Sequence, residues 1–386
     1  EKAHYLAPQR KDVQQFLHQV NNAIDKQNIG KNAEEKKKPE KIKPIEQKDA
    51  PFISLAMIVK NEEEMLPGCL ESARDIADEI IIVDTGSSDK TKEIAKAAGA
   101  KVYEFEWIDD FSAARNESLK HCSGEWILYM DADERLLAPE NLKNMLRNAK
   151  KDIGGYHVTI ESSHLQLTGE TEIHRGGYPR IFRNYGYPNI KFRGAVHEQI
   201  TPSIIDMGKS IGFSDVIIKH LGYDRSREVM EKKIRRNYNM LIKQVKKEPL
   251  DAYSWYQLGQ TLAQMKLFKE AESAIQFAVN TGGLSNSVYA SAAATLSQMA
   301  GNKKNFKEAR SWAERSLLKA PEQLYALYLK AFSQYYLENY NEAEKDFLEV
   351  LSRKKKQKGV PRSGFDIDIP ESKILKGIEM TREKMR

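Results

Sequence analysis

The chain has 386 residues, 40% of them hydrophobic and 30% charged, with a formal net charge of +6 and a mean hydropathy of −0.62. That length predicts two or three domains rather than one core, and the longest apolar runs, residues 55–59 and 80–83, fall far below the ~20 residues of a membrane-spanning helix, which excludes a transmembrane segment. Two cysteines, Cys69 and Cys122, exclude a disulfide framework and a four-cysteine zinc site, and point to a reducing, cytoplasmic setting.

No charged-then-apolar leader opens the sequence, and Glu1 stands first rather than Met, which fits a trimmed start. Residues 1–50 hold an amphipathic stretch, with Val13, Leu17, Val20 and Ile24 at helical spacing, then a Lys/Glu/Pro-rich linker from 32 to 50. Much of the positive excess lies in Lys36-Lys37-Lys38 and residues 353–358. Basic runs of this kind are solvated more often than they read bases, so no nucleic-acid partner is expected.

From Pro51 the texture alternates. Residues 53–59, 79–84, 101–106 and 125–130 predict strands; 62–75, 89–98 and 111–122 predict helices, with Gly99 and Gly124 as stops. Apolar strands separated by ~10-residue helices predict an α/β domain with a mostly parallel sheet and right-handed crossovers. Ligands of such sheets sit beyond the carboxyl ends of the strands. Asn61-Glu62, Asp84 and Asp131-Ala132-Asp133 stand at three of those ends.

Asp131-x-Asp133 offers two carboxylates where a strand turns out of the sheet, able to share a divalent cation that bridges a diphosphate. Surface pairs of this kind are common. Asp84 precedes Thr85-Gly86-Ser87-Ser88-Asp89; capping and turn geometry account for Gly86, Ser88 and Asp89 but not for an acid at 84, where a carboxylate can accept the imide N–H of a uracil or thymine. The glutamates after Asn61 are also what a helix N-terminus favours.

Together these pieces resemble the family 2 glycosyltransferases of the GT-A fold. The resemblance rests on Val59-Lys60-Asn61-Glu62-Glu63, Val83-Asp84-Thr85-Gly86-Ser87-Ser88-Asp89-Lys90-Thr91, Phe111-Ser112-Ala113-Ala114-Arg115-Asn116 and Asp131-Ala132-Asp133-Glu134. It implies a nucleotide-diphosphate-sugar donor, UDP-linked, and a divalent metal, Mn²⁺ or Mg²⁺. Asn61, Glu62 and Asp84 would line the nucleotide, Arg115 the diphosphate or the donor pocket, and Asp131 the ribose or sugar; Asp133 would bind the metal. Downstream, Arg180-Ile181-Phe182-Arg183-Asn184, Lys191-Phe192-Arg193-Gly194-Ala195-Val196-His197-Glu198-Gln199 and His220-Leu221-Gly222-Tyr223 are similar to glycosyltransferases that carry tetratricopeptide repeats. Among these are the sublancin-type peptide glycosyltransferases and flagellin-modifying relatives. An inverting transfer needs a base. The family often carries it in an acidic pair such as Glu-Asp; this chain has His197-Glu198 there, with Glu198 as candidate base and His197 orienting base or acceptor, or packed as a structural histidine. His220 is a candidate to complete the metal shell, neutral imidazole being suited to Mn²⁺.

Residues 225–250, basic and helical, predict a connection. Beyond Asp251, Phe268-Lys269-Glu270-Ala271, Phe306-Lys307-Glu308-Ala309 and Tyr340-Asn341-Glu342-Ala343 recur, with Pro321 at a unit boundary and Trp255, Leu258 and Gly259 upstream in the first unit. A ~34-residue period of this kind is the tetratricopeptide pattern of stacked helix pairs. The expected division is therefore 1–50 helix and linker, 51–224 glycosyltransferase domain, 225–250 connecting helix, 251–352 repeats and 353–386 basic segment. Expected partners are a nucleotide-sugar and a peptide or protein acceptor docked by the repeats, with self-association compatible with both the repeats and residues 13–24. Two other readings stay open: a saccharide or lipid-linked glycan acceptor, and a non-catalytic nucleotide-binding scaffold.

Overall fold

A computed structural model describes residues 44, 51–137, 140–165, 171–221, 227–356 and 369–386. The amphipathic stretch at 13–24, the linker at 32–50 apart from Pro44, Lys358 and the Gly222-Tyr223 end of the His220 motif lie outside the described residues. The chain divides into two compact units between Arg227 and Glu228.

The first unit is built on one eight-stranded sheet. Its first half follows the alternation read from the sequence: β1 (Ile53–Val59), α1 (Leu66–Ala73), β2 (Glu79–Asp84), α2 (Thr91–Ala97), β3 (Lys101–Glu104), α3 (Phe111–His121) and β4 (Trp126–Tyr129). These four strands pair in parallel, in the order β3-β2-β1-β4. Side chains alternate between two buried faces. Leu55, Met57 and Val59 pack with Leu66, Cys69 and Leu70 of α1, while Ala56, Ile81 and Ile127 pack with Leu119 and Cys122 on the other side. The first helix starts later than expected, at Leu66, because Pro67 is suited to a first turn; residues 62–65 are a turn leading into it.

The second half adds antiparallel pairs to a sheet that stays parallel at four of its seven pairings. It comprises β5 (Glu134–Leu137), α4 (Leu142–Arg147), β6 (Ile153–Leu165), β7 (Thr171–Arg183), α5 (Thr201–Asp206) and β8 (Ser210–His220). The order continues β4-β7-β6-β8-β5, with β4·β7, β6·β7 and β5·β8 antiparallel. A flat sheet puts β5 about 19 Å from β4, four spacings of ~4.8 Å. Four linking residues span no more than about 18 Å, so the sheet curls. Register shifts in β6 serve that curvature. At one of them Tyr156 pairs with Ile181 and His157 with Pro179, which leaves Arg180 as the extra residue of β7. Pairing of β7 beside β4 sets Arg180 at the turn between β4 and β5, and the curl brings His220 there.

Among the described residues the second unit is built of helices. After α6 (Arg227–Lys247) come three hairpins: α7 (Ala252–Gln264) with α8 (Phe268–Thr281), α9 (Asn286–Asn302) with α10 (Phe306–Lys319), and α11 (Leu324–Tyr336) with α12 (Tyr340–Lys356). The recurring alanines Ala271, Ala309 and Ala343 are all buried. Gly259 lets α7 approach α8: a Cβ there would stand 2.4 Å from Ile275 Cγ1 and 3.0 Å from the Ala271 carbonyl. The end of the chain is not only a basic tail. Helix α13 (Glu371–Met385) buries Ile374 and Ile378 in one cluster with Phe347, because two isoleucines at i and i+4 give it an apolar stripe.

Candidate active site

Parallel pairing sets the ends of β2 and β4 on either side of β1, with Asp84 level with Val59. Asp84 is buried at the end of β2. Its Oδ1 accepts from the Gly86 and Ser87 amides at 3.0 and 2.9 Å, a turn that Gly86 enters at φ +101°. Its Oδ2 is buried with no hydrogen-bond partner. Buried carboxylate oxygens are normally satisfied, and this one has no partner within the described residues. Asn61, held at φ 55°, ties this turn to the end of β1: its amide donates to Ser87 Oγ at 2.9 Å and its Oδ1 accepts from the Ser88 amide at 2.8 Å. The Glu62 amide donates to Thr91 Oγ1 at 2.7 Å. Asn61 thus braces the Asp84 turn through its amide and its side-chain oxygen, and Glu62 ties the end of β1 to the start of α2.

On the other side of β1 the charged groups form a cluster around Tyr129. Arg115, buried on α3, donates from Nη2 to Asp131 Oδ1 at 2.7 Å and from Nε to Glu198 Oε1 at 2.5 Å. It joins the β4–β5 turn to the loop at 192–199. The Arg180 guanidinium lies 4.4 Å from the Tyr129 ring centre and donates from Nη2 to Glu134 Oε1 at 2.8 Å, with Asp131 Oδ2 at 3.6 Å. Glu134 in turn accepts the Asp131 amide at 2.8 Å. Burial opposes charge on Asp131, but Arg115 and Arg180 outweigh it and hold the carboxyl below its ordinary range. At Glu134 burial wins, aided by the neighbouring Asp131 charge, and the carboxyl is pushed up to about 7. Asp131 still keeps 36% of its side chain exposed, whereas Arg115 keeps 7%. The carboxylate is the group a substrate can reach.

Asp133 and His220 are brought together by the curl. Glu134 pairs with His220 across β5 and β8, the Leu221 amide donates to the Asp133 carbonyl at 2.8 Å, and His220 Nε2 stands 3.4 Å from Asp133 Oδ2. No third His, Cys, Asp or Glu joins them to make a metal cluster among the described residues. Two protein ligands, one of them a carboxylate, fit a divalent cation that takes its other ligands from water and substrate phosphates.

His197 is exposed and sits at φ 54°, so it is not a packed core histidine. A non-glycine residue in that region marks a loop whose shape is enforced. Sequence reasoning assigned no role to Arg180 or Glu134, although both stood inside the quoted motifs. It also assigned none to Ser112 and Asn116, two polar residues four apart on α3. Those spacings were the signal available.

Residues 54–202 match the glycosyl transferase family 2 model. A TPR repeat-containing protein of Synechococcus elongatus is 35% identical over 227 residues, 57% of this chain and 54% of that protein. The SPbeta prophage-derived glycosyltransferase SunS of Bacillus subtilis is 30% identical over 247 residues, 61% of this chain and 55% of that protein. The chain thus spans about half the length of these curated relatives. Among solved structures, a mannosyltransferase of Pyrobaculum calidifontis in complex with GDP-Man and Mn²⁺ aligns at 17% identity and a TM-score of 0.38, over 85% of this chain and 97% of that one. No helix among the described residues is long and apolar enough to cross a membrane. Residues 54–202 are thus similar to family 2 glycosyl transferases, and beyond residue 251 the chain forms helical hairpins in which the buried Ala271, Ala309 and Ala343 recur.

Proposed function

We propose that the chain is a metal-dependent inverting glycosyltransferase that moves a sugar from a UDP-sugar to a side chain of a peptide or protein. The observation that carries the reading is the unpartnered, buried Asp84 Oδ2 at the same sheet edge as the Asp131 and Asp133 carboxylates. In this reading Asp84 Oδ2 accepts the uracil imide N–H, Asn61 holds that turn, and Asp131 orients the ribose or sugar. Asp133 and His220 would hold the cation, which when bound supplies positive charge for the departing diphosphate. Glu198 Oε1 is occupied by Arg115, which leaves Oε2 to take the proton from the acceptor as its oxygen or sulfur attacks the anomeric carbon. The sugar–phosphate C–O bond breaks on the opposite face, and its electron pair leaves with the nucleoside diphosphate. His197, exposed beside Glu198, meets the acceptor. The repeats hold the rest of an extended acceptor, as grooves do for peptide segments. Two buried free thiols, Cys69 and Cys122, fit a reducing, cytoplasmic setting.

The test is donor turnover by the purified chain with Mn²⁺ across UDP- and GDP-sugars, followed by mass spectrometry of candidate peptides. Asp133→Ala is expected to lose about 100-fold or more in turnover, the scale of a lost electrostatic contact to developing charge. Sugar transfer only to saccharides or lipid-linked glycans would overturn the acceptor. Nucleotide binding without turnover would leave a scaffold.

A further inference from the structure

The motif Phe111-Ser112-Ala113-Ala114-Arg115-Asn116 does more than deliver Arg115. Positions 111, 112, 115 and 116 share one face of α3, within about 140° at 100° per residue, and that face grips the loop at 192–199 over its length. The Phe111 amide donates to the Ala195 carbonyl at 2.9 Å, and Ser112 Oγ donates to the Gly194 carbonyl at 2.6 Å. Asn116 imitates a strand: its Nδ2 donates to the Phe192 carbonyl at 3.0 Å and its Oδ1 accepts the Phe192 amide at 2.7 Å. The loop is closed at its neck by reciprocal Arg193 and Gln199 backbone bonds of 3.0 and 2.9 Å. Inside it, Gly194 and His197 stand at φ 95° and 54°. A loop with two left-handed residues does not hold one shape by itself; here its shape is imposed from outside.

We propose that Ser112 and Asn116 are positioning residues that set the Glu198 carboxylate against Arg115, a role that rests on Glu198 acting as the base of the transfer proposed above. Neither side chain touches substrate. Both act through the loop backbone, and for that reason a helix rather than the loop itself fixes the base.

Asn116→Ala is the direct test, read in three ways. Backbone amides at 192–199 should exchange at least about tenfold faster, while the rest of the first unit is unchanged. Turnover number should fall about 10- to 100-fold, the scale of a displacement near 1 Å, with UDP affinity within about twofold of wild type. In a Glu198→Gln background the same substitution should cost nothing more, since both act on one step. Unchanged exchange in the loop would overturn the proposal, as would a loss that multiplies with that of Glu198→Gln. If Asn116→Ala fails to fold, Ser112→Ala is judged by the same three readings. Wild-type transfer by Glu198→Gln would remove the base assignment alone, and loop exchange would still decide whether α3 holds the loop.

Discussion

Strand β2 carries a buried acid at each end, and the two are treated differently. Glu79, at the amino end, is fully engaged: Ser54 Oγ, the Ser123 amide, Ser123 Oγ and Lys101 Nζ donate to it at 2.5, 2.9, 2.9 and 2.9 Å. Burial opposes its charge, but those donors outweigh burial and hold the carboxyl below its ordinary range. Asp84, at the carboxyl end, has one oxygen bound in its own turn and one left over. The acid at one end of β2 has all its donors in place, and the acid at the other end keeps one oxygen unpaired. An acid that seals a fold and an acid proposed to meet a ligand differ in what is left unpaired.

The largest effect should come from the charged cluster around Tyr129. Arg115→Ala leaves Asp131 and Glu198 without their shared cation, and breaking a buried pair costs about 3 kcal/mol; the midpoint of urea unfolding should fall and transfer should be lost. Glu79→Ala should cost about 2 kcal/mol, by stranding Ser54 and the Ser123 amide, with UDP affinity unchanged. A loss of UDP binding in that variant would blur the distinction between the two acids.

A smaller effect should follow pH. Burial, then repulsion from Asp131, raises the Glu134 carboxyl to about 7 in the folded chain, above the ordinary carboxyl range. The raised value means the folded state binds a proton more tightly than the unfolded one. Its contribution to stability is therefore full below about pH 4.3 and is lost as pH rises through 7. Glu134→Gln should flatten the decline in unfolding free energy between pH 4.5 and about 8, measured by urea titration at each pH. A decline as steep as that of the wild type would place the titrating group elsewhere.

The half of the sheet from β1 to β4 was legible because β1, β2 and β4 are short apolar runs buried on both faces, as Ile80-Ile81-Ile82-Val83 is. The other half was not. Its long strand β6 opens with Ile153-Gly154-Gly155, where two glycines weaken the strand signal and order comes from pairing with β7 and β8. The repeats were legible because Ala271, Ala309 and Ala343 recur with aromatic partners, and period survives without knowledge of packing. Site residues divide in the same way. Asp84, Asp131 and Asp133 stand at strand ends that could be located, while the reach of Arg180 to Asp131 depends on the bulge in β7 and on β7 pairing beside β4. No local pattern encodes either. The same holds for His220, whose approach to Asp133 follows from β5 pairing with β8.

The most direct measurement is a calorimetric titration of UDP with Mn²⁺ into wild type and Asp84→Asn. Asparagine keeps an oxygen for the Gly86 and Ser87 amides but presents an NH₂ where Asp84 presents its unpaired oxygen. The account predicts an unchanged unfolding midpoint and UDP affinity about tenfold weaker, near 1.4 kcal/mol. Equal affinity for the two proteins would contradict it.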